Sequence, residues 1–125
     1  MELTPLKPGE RSVIQAYGDG GFRISNERFM GAVIVLGERV IDLDLGNFSA
    51  IDSSHFAPLL AAEEGIEILL IGCGESGEAL DPECRALLKR AGIASEAMGT
   101  GAACRTFNLL QAEGRRVAAL LLPVG

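Results

Sequence analysis

Three apolar runs in the second half of the chain, residues 66–71, 93–97 and 117–122, are separated by two stretches of helical length that carry their own stop signals. Asp81 stands where an N-cap belongs, with Pro82 at the first helical position. Cys84, Leu87, Leu88 and Ala91 follow at offsets that share one helix face, and Gly92 ends the pattern. Thr100 is placed to cap the second stretch, with Ala103, Phe107 and Leu110 facing a core and Gly114 as the stop. A strand followed by a helical crossover returns parallel to its predecessor, with a right-handed connection. The pattern therefore predicts a βαβαβ unit in which 66–71 and 93–97 are parallel neighbours and 117–122 shares their sheet.

The first third has a different period. Residues 12–17 and 22–24 flank Gly18-Asp19-Gly20-Gly21 and read as a hairpin. Residues 26–28 read as a polar break. A β-branched run at 31–36 and a strand at 40–43 sit either side of Gly37-Glu38-Arg39. Asp52 or Ser53 then caps a short helix with Phe56, Leu59 and Leu60 on one face, limited by Pro58 and ended by Gly65. Pro5, Pro8 and Gly9 make 1–11 an extended arm, which leaves 12–125 as a single α/β domain.

Composition narrows the function classes. A chain of 125 residues has room for one ordinary domain, and with no Trp its core must be Leu, Ile, Val and Ala. A net charge of −6 repels phosphate backbones, so nucleic acid is not an expected partner. The opening residues have no basic stretch followed by an apolar one, and the longest apolar run, 117–122, is far too short to span a bilayer. The expectation is a cytoplasmic protein with no integral membrane segment. Cys73, Cys84 and Cys104 contain no CxxC spacing, which argues for reduced thiols without a disulfide or a metal site, and no cofactor is expected.

Residues 96–110, running into Ala112-Glu113-Gly114-Arg115-Arg116-Val117-Ala118-Ala119, resemble the C-terminal signature of the domain-of-unknown-function family that includes mitochondrial complex I assembly factor 3. Residues 66–74 resemble that family's apolar strand and Gly-x-Gly turn, with Cys73 where Thr is usual. Residues 14–24, with Tyr17, Gly21 and Phe22, resemble its first hairpin. Phe107-Asn108 stands for a Tyr-Asn pair, and the Trp common after the fourth strand is missing. The resemblance implies a three-layer fold: a mixed central sheet, helices packed on it and an added β-hairpin layer. It implies no established enzymatic activity, and protein partners at an inner membrane in assembling a respiratory complex. The position of bacterial members near protein-translocation genes points the same way.

Two functional readings follow. One is a non-enzymatic protein-interaction module, oligomeric or not, that reaches the membrane through a partner. The other is an anion- or small-molecule-binding protein, or a cryptic enzyme, using the crevice at the carboxyl ends of the parallel strands. Its candidate residues are Gly72, Cys73, Gly74, Thr100, Gly101, Cys104 and Arg105. There the N-terminus of the third helix would supply N–H donors and Arg105 a charge. Cys104 in the first turn would be nucleophilic if the helix end and Arg105 lowered its pKa, or inert if buried. Cys73, between glycines at a strand end, is expected to be more exposed than Cys84, which reads as packing. His55, the only histidine, reads as a surface residue, and Arg115-Arg116 as ion-paired to Glu113.

Overall fold

The computed structural model describes residues 12–125 apart from Glu64, Ser76 and Gly77. The extended arm expected at 1–11 lies outside the described residues. Two sheets carry the fold. β1 (Ile14–Gly18), β2 (Gly21–Ile24) and β3 (Glu27–Met30) form a three-stranded antiparallel sheet. The third of these strands overturns the polar break expected at 26–28. Ser25 and Asn26 take left-handed φ values of 50° and 70°, the geometry of a two-residue hairpin turn, so the chain reverses at once and Glu27 pairs with Ile24. Gln15, only 3% exposed, holds this turn. Its Nε2 donates to Asn26 Oδ1 and its Oε1 accepts from the Asn26 N–H.

The second sheet is five-stranded and mixed, in the order β5-β4-β8-β6-β7. Its strands are β4 (Ala32–Leu36), β5 (Arg39–Leu43), β6 (Ile68–Gly72), β7 (Ala94–Met98) and β8 (Val117–Leu121). β6 is parallel to β7 and to β8, whereas β4 is antiparallel to both β5 and β8. The three apolar runs thus share one sheet as expected, displaced by zero to two residues. β8 inserts between β4 and β6, in the centre.

Side chains alternate along the inner strands into two cores. Leu69, Ile71, Ile34 and Leu120 face one side and pack with Phe56, Leu59, Cys84 and Leu88. Leu70, Val33, Val35, Ala119 and Leu121 face the other and pack with Phe107 and Cys104, and with Ile14, Phe22 and Ile24 of the first sheet. Helix α2 (Pro82–Arg90) covers the first side and helix α3 (Thr100–Ala112) the second. The result is three layers, with the three-stranded sheet sharing the third layer with α3. Each fully buried Phe or Leu contributes about 1.5–3 kcal/mol relative to exposure.

Three local expectations are corrected. The helix after Asp52 is a 3-10 turn, Ser53–Phe56, running into a single α turn, α1 (Ala57–Leu60). Leu60 therefore rotates outward to 45% exposure while Phe56 and Leu59 stay buried. Ala91 is the C-cap of α2 and lies exposed past the face it was assigned to. Leu110, half-buried, packs against the core as expected. Arg115 pairs with Glu67, Nε to Oε1 at 2.6 Å, instead of Glu113, with Arg116 at 3.9 Å from the same carboxylate. The starts of β6 and β8 are parallel neighbours, which brings Glu67 closer than a residue in the preceding turn.

Candidate functional site

The carboxyl ends of β6, β7 and β8 converge on Thr100. Cys73 N–H donates to Met98 O at 2.7 Å, and Leu122 N–H donates to Gly72 O at 2.9 Å. Thr100 N–H donates to Gly74 O at 2.8 Å. The Thr100 hydroxyl donates to Leu122 O at 2.6 Å and accepts from Gly74 N–H at 2.9 Å. Thr100 is fully buried and is the first residue of α3, not its cap; Gly99 is the N-cap and makes no side-chain bond. The hydroxyl is drawn off the helix because two strand ends offer it an acceptor and a donor at once. Unmet, each of these buried groups would cost about 1–3 kcal/mol.

The glycines serve this closure. A Cβ on Gly72 would stand 3.0 Å from Thr100 Cα, Thr100 Oγ1 and Leu121 Cδ2. Gly74 holds a left-handed φ of 91° where the chain turns to meet Thr100 N–H. A Cβ on Gly101 would lie 2.6 Å from the hydroxyl of Tyr17, whose ring from β1 rests on the first turn of α3. Arg105 Nη1 donates to that hydroxyl at 3.1 Å. Gly72, Gly74, Thr100, Gly101 and Arg105 therefore lie at one end of the sheet, joined through Thr100 and Tyr17. Of the donors expected for an anion, the Thr100 N–H is already satisfied within the protein, and the exposed guanidinium of Arg105 touches Tyr17.

The cysteines do not join this cluster. Cys73, expected to be more exposed, is 6% exposed and packs on the α2 side, its Sγ 3.6 Å from Ile71 O and Glu78 O. Cys104 is fully buried on the opposite face of the sheet. Burial pushes its thiol up to about 12 against the lowering effect of Arg105. Helix position therefore does not make this thiol a nucleophile, since desolvation outweighs the nearby charge. Burial also raises Cys73 and Cys84. All three are free thiols. His55 is engaged elsewhere: its Nδ1 accepts from Asp52 N–H at 3.1 Å in a capping box. Among the described residues no group of three or more His, Cys, Asp or Glu is placed to hold a metal ion. No helix among them is long and apolar enough to cross a membrane.

Two residues that organise this end are legible in the sequence only as parts of the family resemblance, not as site residues. Tyr17 meets Arg105 across 88 positions. Asn108 reaches from α3 to β1, its Oδ1 accepting from Ile14 N–H and its Nδ2 donating to Ile14 O, both at 2.9 Å. No local pattern couples residues this far apart. Beside the family resemblance, the signals in the sequence are the single tyrosine of the chain and an Asn in mid-helix, where that residue is disfavoured.

A mixed five-stranded sheet with α2 on one face and α3 plus an antiparallel three-stranded sheet on the other, closed at its strand ends by Thr100, defines a three-layer α/β domain. The chain belongs to the family described as "protein of unknown function (DUF498/DUF598)", which it matches over residues 14–122. It is 34% identical over 110 residues to the mouse "NADH dehydrogenase [ubiquinone] 1 alpha subcomplex assembly factor 3". That match covers 88% of this chain and 60% of the mouse protein, so the chain spans less than two thirds of that relative. An uncharacterized protein of Rhodobacter capsulatus is 32% identical over 124 residues, covering 98% of this chain and 94% of its own length. The fold matches a crystal structure described as an outer membrane protein from Bartonella henselae, with TM-score 0.86, 40% identity and coverage of 93% and 98% of the two chains. It also matches the solution structure of a Bordetella pertussis protein described as a Mth938-like domain, with TM-score 0.81, 31% identity and coverage of 98% and 92%.

Proposed function

We propose that residues 12–125 act as a single domain that is a non-enzymatic protein-interaction module, assisting assembly or biogenesis of a membrane complex, by likeness a respiratory one. The observation that carries this reading is the similarity to an assembly factor across 88% of the chain. The Thr100 N–H and hydroxyl, groups that a ligand at the strand ends would use, are already bonded within the protein, which supports it. On this reading the chain is cytoplasmic and reaches the inner membrane through its partner. Affinity capture from native membranes, read by mass spectrometry, should recover a respiratory-complex subunit or assembly intermediate. A strain lacking the chain should accumulate subcomplexes on native gels. Normal assembly in that strain overturns the proposal.

A second reading keeps the crevice as an anion site. Arg105, exposed at the start of α3 beside Gly101, is the observation in its favour. It requires a phosphate- or carboxylate-bearing metabolite to raise the melting temperature of the wild type and to bind about tenfold to a hundredfold more weakly to a folded Arg105→Ala. A screen of anionic metabolites that stabilises nothing removes this reading.

A further inference from the structure

Among the described residues β7 ends the five-stranded sheet and is paired on one side only, with β6. Ala94 N–H donates to Glu67 O and Met98 O accepts from Cys73 N–H, so the backbone groups of 94, 96 and 98 face β6. Groups alternate sides along a strand, so the N–H and C=O of Ser95 and Ala97 point off the sheet. A cavity of about 440 Å³ lies against this edge, lined by Ser95, Glu96 and Ala97 on one side and by Glu78, Leu80 and Arg85 on the other.

The remaining edges are closed or blunted. Asn108 occupies both backbone groups of Ile14 on β1. β5 carries exposed Arg39 and Asp42, and β3 is four residues long with exposed Glu27 and Arg28. Short edges and charged side chains are the usual defences against unwanted pairing. β7 has five residues, Ala94, Ser95 and Ala97 among them, one charge, and no Lys or Pro.

We propose that the edge of β7 receives an extended segment of a partner polypeptide as a sixth strand, its side chains alternating between the cavity and the opposite face. The proposal rests on the interaction-module reading and names the surface it uses. Strand addition takes its affinity from main-chain hydrogen bonds and its selectivity from pockets beside the edge. The cavity walled by residues 78–80 and Arg85 is such a pocket. A second copy of this chain is disfavoured as the occupant. Antiparallel pairing of two β7 edges through Ser95 and Ala97 places Glu96 opposite its own counterpart, and like charges directly opposed are unfavourable. The segment therefore presents a neutral or basic side chain opposite Glu96 and no proline along the paired stretch.

The test does not wait on a natural partner. A random peptide library is selected on the immobilised chain, with Ala97→Pro as counter-selection. Proline at 97 removes an outward N–H and leaves the β6 ladder intact, so that variant should fold; amide protection of Glu96 and Met98 verifies this. Enriched peptides should bind Ala97→Pro at least about tenfold more weakly than wild type. They should slow exchange of the Ser95 and Ala97 amides at saturation, and lose binding when N-methylated at alternate residues. Proline at Val40 on β5 should leave binding unchanged. Failure to enrich any peptide over the counter-selection, or enrichment of peptides that leave those two amides unprotected, overturns the proposal. So does concentration-dependent dimerisation abolished by Ala97→Pro, which would assign the edge to a second copy. Failed membrane capture alongside edge-dependent peptide binding would count against the assembly role alone.

Discussion

Helices α2 and α3 do the same job on opposite faces of the sheet, yet their N-termini are held in opposite ways. At α2, the Asp81 carboxylate accepts from Glu83 N–H at 3.1 Å and from Cys84 N–H at 3.3 Å, bonds that reach two and three residues. At α3 the N-cap is a glycine with no side-chain bond, and Thr100 bonds across 26 residues to Gly74 and 22 to Leu122. α2 buries Cys84 and Leu88, whereas α3 buries Thr100, Ala103, Cys104 and Phe107. A locally capped helix is an accessory laid on the sheet. A helix tied to strand ends is part of the sheet's closure.

The contrast breaks most directly at the two caps. Thr100→Val keeps the shape, deletes the hydroxyl and leaves Gly74 N–H and Leu122 O without it. It should cost roughly 2–5 kcal/mol by chemical denaturation. Asp81→Ala should cost only about 1 kcal/mol. Equal losses would erase the distinction. Gly101→Ala drives a methyl into Tyr17 and should cost about 1–3 kcal/mol, part of it recovered in the double variant with Tyr17→Phe. Additive costs would mean that the ring moves aside freely.

The thiols offer a finer probe, since Cys84 lies on α2 and Cys104 on α3. In native buffer neither should react readily with alkylating reagents. In sub-denaturing urea Cys84 should be modified first, by about tenfold or more, because the exposed helix opens at lower free energy than the interlocked one. Simultaneous labelling would indicate one cooperative opening. The smallest effect belongs to Glu67, which ties the far end of the sheet from the surface. The hydrogen bond from Arg115 holds its carboxyl below the ordinary 4.5. A depressed carboxylate adds stability above the unfolded value that is lost as pH falls through the folded one, so the window lies below pH 4.5. Arg115→Gln should move the Glu67 titration, followed by its carboxyl carbon shift, up toward that value, while the acid-unfolding midpoint scarcely changes.

What was readable in the sequence follows the same division. The strands of the βαβαβ unit, the Asp81-Pro82 start of α2 and its stop at Gly92 depend on residues within one turn of each other, and composition and period reveal them. β3 was hidden because Ser25-Asn26 lacks the glycine that usually marks a tight hairpin, although Asn tolerates the left-handed region. Thr100 looked like a cap because Thr caps helices; its actual partners depend on which strands lie side by side, and strand order is a tertiary fact. Gly72, Gly74, Thr100, Gly101 and Arg105 lie at one end of the sheet because the strand ends and the first turns of α3 meet there. Cys73 and Cys104 are apart because Cys73 packs into the core on the α2 side of the sheet and Cys104, carried by α3, packs into the core on the other side.

The central place of β8 has a consequence for how the molecule is made. β4 and β6 never pair with each other; each pairs with β8. During synthesis the β4–β5 hairpin and the β6–β7 pair leave the ribosome before the strand that joins them exists. Until residues 117–121 emerge, both present unfilled hydrogen-bonding rows and apolar faces to solvent. Loss of its final strand by a frameshift or premature stop would leave two unconnected halves, not a slightly shortened protein.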